Sequence, residues 1–184
     1  MLAAWGVLRV SRPRVSVFLA VSLDGFIARE DGGIDWLTAF ESPGVEDYGF
    51  KEFFDSIDVL IMGRNTYEVV LGLDPWPYGD KSLIVLTHRE LTPLHNETAY
   101  SGSLSKLVQK LGGEGVRRIY LDGGNSIRQG LAEGLVDDMT LSWIPVTLGK
   151  GISLFGAEVP EVRWTLESVK EFSKTMVQTR YVMK

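Results

Sequence analysis

The chain has 184 residues, a length that fits one domain with its own hydrophobic core. Its net charge of −5 argues against a nucleic-acid partner, because such proteins usually present a basic surface. It has no cysteine and only two histidines, which excludes disulfides and thiolate chemistry and argues against a metal site.

Residues 1–13 are interpreted as a loosely ordered N-terminal extension. Arg9 and Arg12 interrupt its apolar residues well before the roughly 20 that a membrane span requires. The basic residues also follow the apolar ones, which is the reverse of a secretory signal. We therefore expect a cytoplasmic protein with no membrane partner.

The first half of the remaining chain alternates strands with helices. A strand is predicted over residues 14–21, where valine and leucine recur at every second position. A helix is predicted over residues 46–56, because four apolar side chains there and just beyond fall on one helical face. Further strands are predicted over 58–62, 82–87 and 98–101, with a helix over 66–71.

The second half continues this pattern and closes with a hairpin. Helices are predicted over 103–111 and 126–133, strands over 117–121 and 139–146, and hairpin strands over 162–169 and 175–183. The alternation predicts one α/β domain over residues 14–184. It has a mixed, mostly parallel sheet of about eight strands, a C-terminal antiparallel hairpin and about four flanking helices.

Three of the predicted strands end in residues suited to an anionic ligand. Glycine lets the backbone approach closely, a helix start offers free N–H groups, and arginine adds a charged hydrogen-bond donor. Each segment alone is more often a simple turn or a solvated arginine, but the pattern follows three strands. A cofactor with several phosphates is therefore favoured at Gly63, Arg64, Asn65 and Thr66; at Thr87, His88 and Arg89; and at Gly123, Gly124, Asn125 and Ser126.

The loop after the first strand contains a possible acid. Asp24 could protonate a substrate or anchor its polar groups. On spacing alone, Asp24-Gly25 is more simply a turn pair, and Trp36 is more simply a core residue than a pocket wall. Both interpretations stay open at this point.

The sequence contains near matches to common signatures of hydrolases and nucleotide-binding enzymes, but each of these matches is incomplete. The segment from Gly124 to Arg128 lacks the last glycine of a nucleophile elbow, and the sequence around Lys81 is not a phosphate-binding P-loop. No G-x-G-x-x-G follows a strand, so a Rossmann site is not supported. Because these classes are disfavoured, the sequence favours a reaction in which a cofactor supplies the reactive atom, such as hydride transfer.

These segments together resemble the dihydrofolate-reductase-like superfamily. Residues 59–68 are similar to its strand-glycine-arginine-helix signature, and residues 122–127 to its glycine-pair turn. The resemblance implies a three-layer fold and NADPH as cofactor, with nicotinamide near Ala20 and Ile27. It implies phosphate contacts at Gly63, Arg64, Asn65 and Thr66, a 2′-phosphate near Thr87, His88 and Arg89, and pyrophosphate over Gly123, Gly124, Asn125, Ser126 and Ile127.

Within the superfamily, residues 22–28 resemble the riboflavin-pathway reductase branch. That resemblance implies a role for Asp24 in substrate contact and catalysis, Trp36 as a pocket wall, and a homodimer. The implied substrate is a small polar heterocycle, with 5-amino-6-(5-phosphoribosylamino)uracil as the first choice. A dihydrofolate or pterin reductase is an alternative that would require Glu46 or Asp47 to face the pocket. A non-catalytic NADPH-binding or sensor protein is a second alternative.

Overall fold

The computed structural model describes residues 12–38, 47–172 and 176–183. Short apolar runs with β-branched residues form its strands, and segments with apolar residues three and four apart form its longer helices. In chain order the elements are β1 (Arg14–Ser22), β2 (Phe26–Ala28), α1 (Asp35–Thr38), α2 (Phe50–Asp55), β3 (Val59–Gly63), α3 (Arg64–Val70), β4 (Ser82–Leu86), β5 (Glu97–Tyr100), α4 (Leu104–Gly113), β6 (Arg118–Asp122), α5 (Gly124–Ala132), β7 (Asp138–Ile144), β8 (Ile152–Ser153), β9 (Trp164–Phe172) and β10 (Met176–Met183).

Eight of these strands form one sheet in the order β5-β4-β3-β6-β1-β7-β10-β9. The first six strands in this order pair in parallel, and β10 joins β7 and β9 in antiparallel ladders. Strands β2 and β8 form a separate two-stranded sheet. The parallel strands therefore share one edge at their carboxyl ends, and ligands usually bind at that edge in open α/β sheets.

Helices pack on both faces of the sheet and make three layers. On one face, α4 and α5 bury Leu107 and Ile127 in a cluster with the inward residues of β1, β3, β6 and β7. On the other face, α2 and α3 bury Phe53 and Tyr67 against β3, β4 and β6. Strands β3 and β6 are buried on both sides, which explains their nearly unbroken apolar sequences.

The sheet and the C-terminal hairpin confirm the predicted fold class. The described residues contain five helices where about four were predicted, because α1 is a single turn that gives no periodic signal. The helix predicted over 46–56 is shorter and begins at Phe50, and α4 extends two residues beyond its predicted end at residue 111. The strands β2 and β8 were not predicted.

The predicted N-terminal extension, residues 1–13, lies outside the described residues except for Arg12 and Pro13. Arg12 is not loose, because its guanidinium donates to the Leu135 carbonyl and to Asp137, both at 2.7 Å. None of the helices in the described ranges is long and apolar enough to cross a membrane.

Candidate active site

A cleft of about 520 Å³ opens at the carboxyl edge of the sheet. Its walls come from the ends of β1, β6 and β7, from the start of β10, and from α2, α3 and the β2–β8 pair. Most of the lining is apolar or aromatic. The polar side chains that line it are Asp47, Tyr48, Asn65, Thr66, Tyr78, Tyr120, Asp122 and Ser142.

Asp122 supplies a carboxyl group to the cleft where β6 ends. Its Oδ1 accepts the N–H of Gly123 at 2.7 Å, and its Oδ2 accepts the Tyr78 hydroxyl at 3.4 Å. The Tyr120 hydroxyl lies beside the same carboxyl and donates to the Phe18 carbonyl at 2.9 Å. The side chain is thus oriented by its neighbours and remains in contact with the cleft.

The surroundings of Asp122 favour its neutral form. Loss of water around the carboxyl raises its pKa, and the hydrogen bonds from Gly123 and Tyr78, together with the adjacent Tyr120 hydroxyl, only partly oppose that effect. Burial and the neighbouring Asp122 also raise the pKa of Tyr78 and of Tyr120. Asp122 is therefore a carboxylic acid that can hold a proton nearer neutral pH than an exposed aspartate.

The turn from β6 into α5 presents bare backbone to the cleft. Gly123 has φ of 86°, and a Cβ placed on it would lie 2.2 Å from Thr66 Oγ1. At Gly124 a Cβ would meet Ile27 and Ile152 at 3.0 and 3.1 Å. Gly123 therefore has to be glycine, whereas a side chain at Gly124 would require its neighbours to shift by a few tenths of an ångström. This arrangement fits the phosphates of a dinucleotide, which can approach the free N–H groups there.

Two arginines lie beyond this turn, at the ends of β3 and β4. Arg64 Nε and Arg89 Nη2 both contact Oε1 of Glu68, at 2.7 and 3.4 Å. Arg64 also donates to the Glu90 carbonyl at 3.0 Å, and Thr87 Oγ1 accepts the N–H of Arg89 at 3.0 Å. Arg64, Arg89 and Glu68 thus form a group with a net positive charge that contains one carboxylate.

The opposite part of the cleft is aromatic and acidic. The Phe18 and Phe50 rings, both on the lining, pack edge to face with centroids 5.5 Å apart. Asp47 lies at the start of α2, where its carboxylate accepts the N–H groups of Gly49 at 3.1 Å and Lys51 at 2.7 Å. This side can hold a flat ring and accept hydrogen bonds from its N–H groups.

Asp24 has a different environment from the one predicted. Its carboxylate accepts hydrogen bonds from Ser22 Oγ at 2.6 Å and from the N–H groups of Leu148 and Gly149 at 3.1 and 2.7 Å. The Ser22 bond contributes most to lowering its pKa to about 2. Asp24 is not among the residues lining the cleft. This geometry joins two loops and gives no support to the prediction that Asp24 is a proton donor.

Trp36 stands behind the cleft wall rather than in it. Its side chain is 5% exposed and packs with Ile144 and Met176, which do line the cleft. The indole Nε1 is buried without a hydrogen-bond partner in the part of the chain that is described. Glu46 lies outside the described residues, whereas its neighbour Asp47 lines the cleft.

The predicted cofactor residues divide into two groups. Six of them line the cleft: Ala20, Ile27, Asn65, Thr66, Gly123 and Gly124. The others, which do not, are Gly63, Arg64, Thr87, His88, Arg89, Asn125, Ser126 and Ile127.

Two members of the second group have buried side chains. Ile127 is fully buried in the core, and Ser126 is 3% exposed. Their side chains pack α5 against the sheet, so a contact with the pyrophosphate would have to come from the backbone of the turn, and this contact stays a prediction. Asn125 is exposed and accepts a hydrogen bond from Arg128.

The sequence pattern did not identify Asp122 as a candidate acid, or Tyr78 and Tyr120 as its neighbours. Asp122 directly follows an apolar strand and precedes a glycine pair, which places it at the carboxyl edge of a parallel sheet. That position was a usable signal. Tyr78 had no such signal, because it lies in a loop whose path the sequence pattern does not specify.

Comparison with known proteins agrees with this architecture. The model of the RibD C-terminal domain family matches residues 13–178. YwjB of Bacillus subtilis (strain 168) is 38% identical over 174 residues, which cover 90% of this chain and 95% of YwjB. A protein of Shewanella sp. PV-4 that is named for riboflavin biosynthesis has a crystal structure with a TM-score of 0.87 and 34% identity. That match covers 93% of this chain and 99% of the other.

A more distant structure shares the fold. It is the diaminohydroxyphosphoribosylaminopyrimidine deaminase/5-amino-6-(5-phosphoribosylamino)uracil reductase of Thermotoga maritima, with a TM-score of 0.68 and 18% identity. The match covers 94% of this chain and 57% of that larger protein.

Proposed function

The chain belongs to the RibD C-terminal domain family, and from this premise we propose that it is an NADPH-dependent reductase of a small heterocyclic substrate. The observation that carries the proposal is the cleft, where a glycine turn suited to phosphates and a carboxyl with a raised pKa line the same space. The family supports chemistry like that of the riboflavin-pathway reductases.

Each part of the cofactor has a candidate binding segment. Gly123, Gly124 and Thr66 would hold the pyrophosphate, and Arg64 and Arg89 the 2′-phosphate. Ala20 and Ile27 would flank the nicotinamide, since both line the cleft. When bound, NADPH supplies the hydride for reduction of a C=N or C=O group.

Asp122 is the residue that we assign to proton transfer. Reduction of a C=N or C=O bond requires a proton at the heteroatom in addition to the hydride. The Asp122 carboxyl lines the cleft and has a raised pKa, so its protonated form can donate. The hydrogen bonds from Gly123 and Tyr78 hold it in place for this step.

The first substrate to test is 5-amino-6-(5-phosphoribosylamino)uracil. The family supports it, and the name of the Thermotoga maritima protein includes this reductase activity. A dihydropterin or dihydrofolate is the second candidate. It is favoured by Asp47, which lines the cleft just before α2 and whose carboxylate has lone pairs left to accept the N–H groups of an aminopterin ring.

Titration of the purified protein with NADPH and NADH tests the cofactor assignment. We expect NADPH to bind at micromolar level, about −8 kcal/mol, as measured by calorimetry and nicotinamide fluorescence. Arg89→Ala should weaken the binding of NADPH more than that of NADH, because only NADPH carries the 2′-phosphate. Absence of binding by either nucleotide would contradict the proposal.

Turnover assays with the two substrates then separate the alternatives. NADPH oxidation dependent on the phosphoribosyl compound would support the riboflavin-type activity, and oxidation dependent on dihydrofolate would support the second candidate. Tight NADPH binding without turnover of any heterocycle in this class would favour a non-catalytic NADPH-binding protein.

A further inference from the structure

One carboxylate bridges the two arginines that would receive the 2′-phosphate. Oε1 of Glu68 lies 2.7 Å from Arg64 Nε and 3.4 Å from Arg89 Nη2. The three side chains together carry a net charge of +1, whereas the two arginines alone would carry +2. The side chain of Glu68 is 47% exposed and that of Arg89 is 65% exposed, so a ligand can reach both.

The order of the strands places this group at the adenosine end of the proposed cofactor site. Ala20 of β1, Gly123 after β6 and Thr66 after β3 line the cleft in that spatial order. Strand β4, which precedes Arg89, is the next strand outward. Three strand spacings span roughly 14 Å, so an extended dinucleotide with nicotinamide over β1 reaches the arginines with its adenosine ribose.

We propose that Glu68 is a specificity-determining residue that limits the preference for NADPH over NADH. The inference rests on the proposed nicotinamide cofactor and concerns its 2′ position. A phosphate there carries about −1.5 to −2 charges and must compete with Glu68 for the same two guanidinium groups. A ribose hydroxyl at that position can instead donate to the Glu68 carboxylate, as an acidic residue does in other NAD sites.

The substitution Glu68→Gln tests this inference because it removes the charge and nearly keeps the shape. We expect NADPH to bind about fivefold more tightly to this variant, in line with the loss of one exposed ionic competitor. NADH should bind equally or more weakly, so the ratio of the two dissociation constants should increase. Adenosine 2′,5′-bisphosphate and AMP lack the nicotinamide half and differ at the 2′ position. The ratio of their dissociation constants should change in the same direction.

The matched control is Glu114→Gln, at the residue that directly follows α4. Glu114 also pairs with a cation four residues earlier, because its Oε1 lies 3.7 Å from Lys110 Nζ, but it is not part of the cleft lining. This variant should leave both dissociation constants unchanged. Melting temperatures of the two variants, measured alongside, would report any general loss of structure.

Two results would overturn the inference while leaving the cofactor proposal intact. One is equal change for NADPH and NADH in Glu68→Gln, and the other is weaker NADPH binding, which would mean that Glu68 positions the arginines for phosphate. Failure of the unmodified protein to bind either nucleotide would overturn both proposals and is recognised before any variant is made.

Discussion

At the residue scale, two aspartates that follow adjacent strands have opposite properties. Asp24 follows β1 and is stabilised as a carboxylate by Ser22 and two backbone N–H groups, so its pKa falls to about 2. Asp122 ends β6 and is removed from water between two tyrosines, so its pKa rises. A proton donor must hold its proton at working pH, and this condition favours Asp122 over Asp24.

Asp122→Asn is expected to reduce kcat by about 10²- to 10⁴-fold, the usual contribution of a general acid. Because the protonated form acts, activity of the unmodified enzyme should fall as pH rises through the raised pKa. That limb of the pH–rate profile should be absent from the variant. The measurement is steady-state kinetics across pH, with NADPH affinity followed separately to confirm that the cleft still forms.

Asp24→Asn provides the comparison. It should weaken the contact between two loops and lower the melting temperature, yet retain the pH-dependent limb. If Asp24→Asn abolished turnover while Asp122→Asn left both rate and pH profile unchanged, the assignment of the acid made here would be wrong.

The sequence could indicate both aspartates but could not rank them. Asp24 was favoured because its motif resembles that of a known enzyme branch. The environment of Asp122 depends on Tyr78, which is 44 positions away along the chain and reaches the carboxyl from a loop. Such a pKa change is set by tertiary packing, which local pattern does not encode.

At the element scale, the junction of β6 with α5 positions Gly123 and Gly124, the proposed pyrophosphate contacts. The chain leaves β6 through Gly123 in a left-handed conformation, and α5 begins at the next residue. Thr66 of α3 packs directly against that glycine. The proposed phosphate-binding turn therefore depends on two helices, and its shape is fixed by the close approach of α3.

Gly123→Ala should weaken the binding of NADPH and of NADH by similar factors, because the pyrophosphate is common to both. It should also lower the free energy of unfolding by about 1–3 kcal/mol, since alanine is strained at this φ and its Cβ meets Thr66. Calorimetry and urea denaturation measure the two effects.

The control is Gly113→Ala at the end of α4, where a Cβ meets no atom within 4 Å and φ is not positive. That change should be neutral or slightly stabilising. An unaffected cofactor affinity in Gly123→Ala would argue against the placement of the pyrophosphate.

Elements with strong periodicity were predicted well, and short ones were not. The central strands and α4 differ from their predicted bounds by one or two residues, because each carries an apolar pattern of adequate length. Strands β2 and β8 have three and two residues, and they pair across more than 120 positions of sequence. No local signal specifies such a pairing.

At the scale of the whole molecule, the cleft and an ionic cluster occupy opposite edges of the sheet. Asp138, which begins β7, is 1% exposed and accepts the Ser16 hydroxyl at 2.8 Å. It also contacts the guanidinium groups of Arg14 at 2.5 Å and of Arg118 and Arg180 at 3.5 Å. The cluster joins four adjacent strands, β6, β1, β7 and β10.

Oligomeric state belongs to the same scale. The homodimer inferred from the family resemblance stays a prediction. Leu166, Val169 and Val177 of the C-terminal hairpin are 53%, 57% and 40% exposed and share one face of the sheet. Light scattering in solution would decide whether a second copy is present.

Asp138→Ala should be the most destabilising of the changes considered, since it leaves three arginines close together with their common anion removed. Breaking a buried ionic group in this way costs about 3–5 kcal/mol, which is a large part of the stability of a typical domain. Urea denaturation followed by circular dichroism measures the loss. Asp55→Asn, which breaks the exposed pair with Lys51, should cost less than about 1 kcal/mol.

Because the cluster lies at the edge of the sheet opposite the cleft, the folded fraction of Asp138→Ala should bind NADPH with unchanged affinity. Weaker binding by that fraction would show that the two edges are coupled through the strands they share.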